Sequence, residues 1–173
     1  ETDKYILDQY LMQGGRILWA VNGVRFSDEY LSQRGMTPVI PLELQIDDML
    51  FRYGVRVNAT LVQDLQCLPV PVDVSSDPQQ PNWQPMPWTY APLLLTSHAS
   101  PITRNLMQVS STMASTIEFV GGEDSIDKEV LLATSSASRI TGTPAQVDLG
   151  FDDANPEEYR YAYVPVAASM EGV

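Results

Sequence analysis

An α/β fold is what this sequence predicts, and three stretches predict it. Residues 2 to 24 read TDKYILDQYLMQGGRILWAVNGV, an amphipathic helix, a double-glycine stop and a short apolar strand. Residues 42 to 54 carry a second helical periodicity, and the chain turns strand-rich after Pro92. Helices and strands alternating along one chain are the pattern of helices packed on a sheet.

The first helix is read from Ile6, Leu7, Tyr10 and Leu11, which fall at i, i+1, i+4 and i+5 and so share one stripe. Gly14 and Gly15 follow, where a helix C-terminus favours a residue that accepts positive φ. The run from Ile17 to Val21 is continuously apolar, as in a strand covered on both faces. Residues 25 to 41 read as a polar connector ending in Pro38-Val39-Ile40-Pro41. In the next helix Leu42, Ile46, Met49, Leu50 and Tyr53 share a face. Pro41 suits its first turn, Glu43, Asp47 and Asp48 complement its N-terminal half, and Gly54 ends it. Val55 to Val57 and Leu61 to Leu65 are short strands.

Residues 69 to 92 hold seven of the 13 prolines, with Trp83, Trp88 and Tyr90 among them. Proline removes ladder donors and helix bonds, so this stretch reads as a long irregular loop, packed down through Trp83 or Trp88. Beyond it, Leu93 to Leu95, Thr116 to Val120, Val130 to Thr134, Val147 to Leu149 and Tyr161 to Ala167 are strands between turn residues. A short helical turn starts near Pro101 and runs through Ile102 to Leu106.

The 173 residues fit one domain or most of one, and 44% hydrophobic content is enough for a core. The opening at Glu1 in mid-helix and the stop at Val173 just after a strand suggest an excerpt of a longer protein. Lys and Arg total 10 against 22 Asp and Glu, a net charge of −12. That field repels nucleic acid, which excludes it as a partner, disfavours anionic lipid surfaces, and reads as a solvated surface. No apolar run reaches the length of a membrane-spanning helix. Cys67 is the single cysteine, so neither an internal disulfide nor a cysteine zinc site can form.

No catalytic constellation is legible. His98 is the single histidine, and no partner stands at a fixed spacing from it. No G-x-S-x-G elbow is present, and His98 reads as a structural residue hydrogen-bonding in the turn before Pro101. Cys67 lies among Leu65, Leu68 and Val70 and reads as a small buried hydrophobe with a raised pKa. Two acidic clusters remain, Glu123, Asp124, Asp127 and Glu129, then Asp152, Asp153, Glu157 and Glu158. Neither has calcium-loop spacing, and both read as solvated turns. Gly14-Gly15 follows a helix and precedes a strand, the reverse of a phosphate loop. Asn58-Ala59-Thr60 fits the glycosylation triplet, a pattern too short to carry weight. No catalytic, cofactor-binding or metal-ligating residue is assigned.

Several segments in order resemble a known family. They are Tyr10 to Trp19 (YLMQGGRILW), Asp48 to Val57 (DMLFRYGVRV), Leu61-Val62-Gln63-Asp64, His98 with Pro101 to Leu106 (PITRNL), and Leu131 to Ser136 (LLATSS). Together they resemble the gliding-motility-associated GldG family of Bacteroidetes, which is similar to an auxiliary, substrate-binding-like component of an ABC transport system. The resemblance implies a three-layer α/β sandwich with a mostly parallel or mixed sheet, related to class I glutamine-amidotransferase-like domains. It also implies a soluble domain on the periplasmic side of the inner membrane, membrane segments elsewhere in the full protein, and ATPase and permease subunits as partners.

The leading expectation is therefore a non-enzymatic periplasmic domain that acts through protein contacts or a small ligand. An amidotransferase- or hydrolase-like enzyme would instead need Cys67 and His98 side by side in a pocket. A purely structural interaction module is the third reading. Strands lying upstream of Glu1 would leave an open edge here, and such an edge could drive homo-oligomerisation.

Overall fold

The computed structural model describes residues 2–75, 79–121, 126–150 and 155–172. In chain order the elements are α1 (Thr2–Met12), β1 (Val24–Arg25), α2 (Asp28–Arg34), β2 (Met36–Pro41), α3 (Asp47–Arg52), β3 (Val55–Val57), β4 (Thr60–Asp64), β5 (Cys67–Asp73), β6 (Trp83–Thr96), β7 (Gln108–Ser110), β8 (Ile117–Phe119), β9 (Asp127–Ala133), β10 (Ser138–Gly142), β11 (Ala145–Asp148) and β12 (Pro165–Glu171), with a 3-10 turn at Pro156–Glu158 before β12.

The architecture is predominantly antiparallel β, which corrects the expected three-layer α/β sandwich with a parallel or mixed sheet. Among the described residues every ladder is antiparallel. The sheets run β1-β2-β11, β10-β4, β3-β8 and β12-β9-β6-β5, with β7 added to β6. The reason lies in the connections. A parallel pair needs a crossover of a dozen or more residues, usually a helix. Here α2 and α3 have 7 and 6 residues, and β3 to β4 and β4 to β5 are joined by two-residue links, Asn58-Ala59 and Leu65-Gln66. Links that short hand the chain from one sheet to another.

The Pro-rich stretch is also corrected, because most of it is a hairpin. Strands β5 and β6 pair with Pro69 opposite Pro87 and Pro71 opposite Pro85. Antiparallel ladders alternate between pairs that exchange hydrogen bonds and pairs whose N–H groups point outward. Prolines spaced by two and facing each other occupy the outward pairs, so no ladder donor is lost. Val70 opposite Met86 and Val72 opposite Gln84 carry the bonds between them. At the open end, Asp73 accepts from the backbone N–H of Ser75 at 3.0 Å and of Asn82 at 2.9 Å.

Elements that the sequence hid lie in residues 25 to 41. Helix α2 is capped by Ser27, whose Oγ accepts from the Tyr30 N–H, and it ends on Gly35 at φ +68°. The second expected helix shrinks to α3, because Gln45 at φ +57° breaks the helical path before Asp47. The apolar run Ile17 to Val21 forms no ladder, against expectation. The 98 to 106 segment is a turn, held by the Arg104 N–H on the Ser100 carbonyl at 2.9 Å.

Two clusters of buried side chains hold the strands together. One joins Val24, Leu31, Val39, Leu61, Trp88, Ala91, Met113 and Val147. The other joins Leu50, Val55 and Ile117, with Trp19, Ile46, Val57, Ala168 and Met170 packed against them. Trp88 is 5% exposed, its Nε1 donates to the Asp148 carbonyl at 2.9 Å, and it tilts on Tyr90 at 5.9 Å between centroids. Trp83 is 62% exposed, so Trp88 alone is the anchor of the Pro-rich hairpin.

Candidate functional site

The most organised polar site is a buried knot around Asp64. Strand β4 ends on Asp64, which is fully buried. Its Oδ1 accepts from the Ser135 hydroxyl at 2.6 Å and the Gln66 N–H at 2.8 Å, and its Oδ2 accepts from the Ser135 N–H at 2.7 Å. Beside it Thr134 Oγ1 accepts from the Val164 N–H at 2.9 Å and donates to Ser138 Oγ at 3.0 Å, and Ser138 Oγ donates to the Tyr161 carbonyl at 2.9 Å. Every member is satisfied, as buried polar groups require. The knot ties β4, the segment after β9, the start of β10 and the chain before β12. A carboxylate and a hydroxyl sealed from solvent cannot reach a substrate, so its chemistry is structural. Sequence reading passed over this knot. The signal was a polar run, Thr134-Ser135-Ser136, closing an apolar strand, with a lone acid at the end of another.

The structure does not bring the two sequence candidates together. Cys67 opens β5 opposite Pro92, while His98 lies beyond the end of β6 at Thr96. Four residue steps along β6 separate Pro92 from Thr96, about 13 Å of rise. The Cys67 thiol is half-buried, and burial pushes its pKa up, with the Asp64 charge adding to that and the Trp88 backbone opposing it. The expected shift of Cys67 is thereby met, and a raised thiol is a poor nucleophile. His98 is exposed and makes no hydrogen bond among the described residues. The turn it was expected to hold is closed instead by Thr103 Oγ1 donating to the Ser97 carbonyl at 2.7 Å. The Cys67–His98 pair of an amidotransferase-like site is not formed.

Of the acidic residues, Glu123, Asp124, Asp152 and Asp153 lie outside the described residues. Asp127, Glu129, Glu157 and Glu158 are described, and no group of three potential metal ligands exists among the described residues. Arg139 pairs with Glu158 at 2.7 Å. In the glycosylation triplet, Asn58 Nδ2 donates to Thr116 Oγ1 at 3.1 Å, so the amide a glycan would occupy is engaged.

Among the described residues there are clefts of about 310 Å³ at two places. One is apolar, between β6 and β9, lined by Leu95, Val130, Leu131, Ala133 and Tyr163 among others. The other is polar, lined by Ser100, Ile102, Asp127, Lys128, Glu129 and Glu171 among others. Both stand at the small end of ligand pockets, and neither is lined by Cys67 or His98.

The N-terminal region is held to this body from one side. Helix α1 buries no residue fully and is fastened by Lys4 Nζ on Asp48 at 2.6 Å and by Tyr53 Oη donating to Asp8 at 2.7 Å. Burial, then the Asp8 bond and charge, push the Tyr53 pKa up to about 12. After the Gly14 turn, residues 16 to 22 lie across the second core cluster through Trp19.

No curated protein and no solved structure matches the chain. The model of one family, described as an ABC-type uncharacterized transport system, matches residues 1–173. Covering the whole sequence, that match shows that the chain belongs to this family of ABC-type transport-system auxiliary proteins.

Proposed function

We propose that this chain is a non-enzymatic contact domain of an ABC-type transporter, standing on the periplasmic side of the inner membrane and working against permease and ATPase subunits. The family match across residues 1–173 carries the reading. The geometry supports its non-enzymatic part. Cys67 and His98 stand apart, the Asp64–Ser135 pair is sealed from solvent, and the clefts are small. The GldG-like relationship belongs to the same proposal and rests on the ordered segments from Tyr10 to Ser136.

Affinity purification of the tagged full-length protein from its native envelope, after gentle crosslinking, tests this. Co-purification of an ATPase and a permease is the expected result. An intact, abundant bait that recovers neither would overturn it, as would esterase or amidase turnover abolished by Cys67→Ala or His98→Ala.

A further inference from the structure

We propose that residues 16 to 22 are a docking strand that takes up an extended, basic segment of a partner polypeptide through backbone hydrogen bonds. The first observation is the backbone. No N–H or C=O of Arg16 to Asn22 makes a hydrogen bond among the described residues. The flanking groups do, since the Gly15 N–H bonds the Tyr10 carbonyl at 2.9 Å and the Gly23 carbonyl accepts from Leu42 at 3.0 Å. In an extended chain successive residues aim these groups at opposite edges, so both edges are unpaired among the described residues.

The second observation is burial. Ile17, Trp19 and Val21 are half-buried, while Arg16, Leu18, Ala20 and Asn22 are exposed. That is the two-residue period of a strand lying on a core. Trp19 fixes the position by packing on the cluster of Leu50, Val55 and Ile117. The outer face offers Leu18, 94% exposed. Apart from Arg16 at its start, the segment carries none of the usual protections of an open edge: no proline, no lysine, no bulge. Its Ile, Leu, Trp and Val favour pleated pairing.

Charge selects the occupant. The chain carries −12, and α3, against whose Leu50 cluster Trp19 packs, exposes Asp47. A second copy would bring the same acidic surface against itself, whereas a strand bearing Lys or Arg would be attracted. The unpaired donors and acceptors require a polypeptide in extended form, which is recognition by strand addition. This goes beyond the transporter reading and stands on different observations.

The test uses the full chain and three nine-residue peptides. One alternates lysine and valine, one alternates glutamate and valine, and one is the lysine peptide N-methylated at every residue to remove the donors of both edges. Amide hydrogen exchange of residues 16 to 22 is the readout. The lysine peptide should slow exchange there at least tenfold, with less than twofold change in β5 and β6, and the other two peptides should not. Leu18→Pro should abolish that protection and Leu18→Thr should keep it, with the near-ultraviolet signal of buried Trp88 reporting an intact fold in both. Four results would each overturn the proposal: no protection, equal protection by the glutamate peptide, protection in the free protein at every concentration, or protection that rises with protein concentration, which would mean self-pairing.

Discussion

Removing the Asp64 carboxylate should cost more stability than any other single polar change in the described chain. Asp64→Ala leaves three donors without an acceptor: the buried Ser135 hydroxyl and N–H and the half-buried Gln66 N–H. Each orphaned donor costs about 1 to 3 kcal/mol, which brackets roughly 3 to 9 kcal/mol. Members of one network are not additive, so a loss of about 4 kcal/mol is expected. For a chain of this size that corresponds to a fall in Tm of roughly 10 °C. Ser135→Ala keeps the Ser135 N–H and Gln66 N–H bonds and loses the hydroxyl bonds to Asp64 and to the Ala137 N–H, so it should cost only about 1 to 2 kcal/mol. Asp64→Asn should fall between, because its amide NH2 must face a donor. Urea unfolding followed by tryptophan fluorescence measures all three, with an unchanged m-value showing that the denatured state is the same. A loss below about 1 kcal/mol for Asp64→Ala would refute the reasoning, since it would mean the three donors find other acceptors.

Two further outcomes follow from the packing and the titrations. Trp88→Ala should lose about 3 to 5 kcal/mol by emptying the core, whereas Trp83→Ala should stay within about 0.5 kcal/mol, and thermal unfolding of the two single variants separates them. Tyr53 has its pKa raised to about 12, so its contribution is complete below pH 10 and is lost as pH rises through 12. Tyr53→Phe should therefore flatten the fall in stability between pH 10 and pH 12, read as the difference between the two unfolding curves; equal slopes would mean that neither burial nor the Asp8 bond raises the Tyr53 pKa.

How far the sequence was legible depends on whether each signal was local. Helix α1 and its Gly14 stop, strand β3, and the turn after Pro101 all rest on neighbours within a few residues, and all are present, though Ile6 and Tyr10 of the expected apolar stripe are exposed. Strands β4, β8, β9 and β11 fall within a residue or a few of their expected bounds, but β12 runs Pro165–Glu171 instead of starting at Tyr161. What was not legible is pairing. Nothing in Pro69, Pro71, Pro85 and Pro87 taken singly announces that they face one another at outward positions, and proline propensity pointed to a loop. Strand β2 carries the buried Thr37 and Val39 at alternate positions, but Pro38 and Pro41 masked it. The α/β expectation failed for the same reason. A helix, a stop and an apolar run are local, and whether the run joins a parallel sheet is decided by partners elsewhere. The site showed the same limit: Cys67 and His98 drew attention by residue type, while Asp64 and Ser135, 71 positions apart, meet only in the fold.

The most direct test of the transporter account is photocrosslinking from defined positions in the native envelope. A photoreactive residue is placed at Leu18 on the exposed face of the unpaired segment, and at Ser32 on exposed α2 as a second position, in the full-length protein. The account predicts adducts with a permease or ATPase subunit of an ABC transporter, strongest from Leu18. Adducts with neither subunit from either position, with the bait intact and correctly folded, would contradict it.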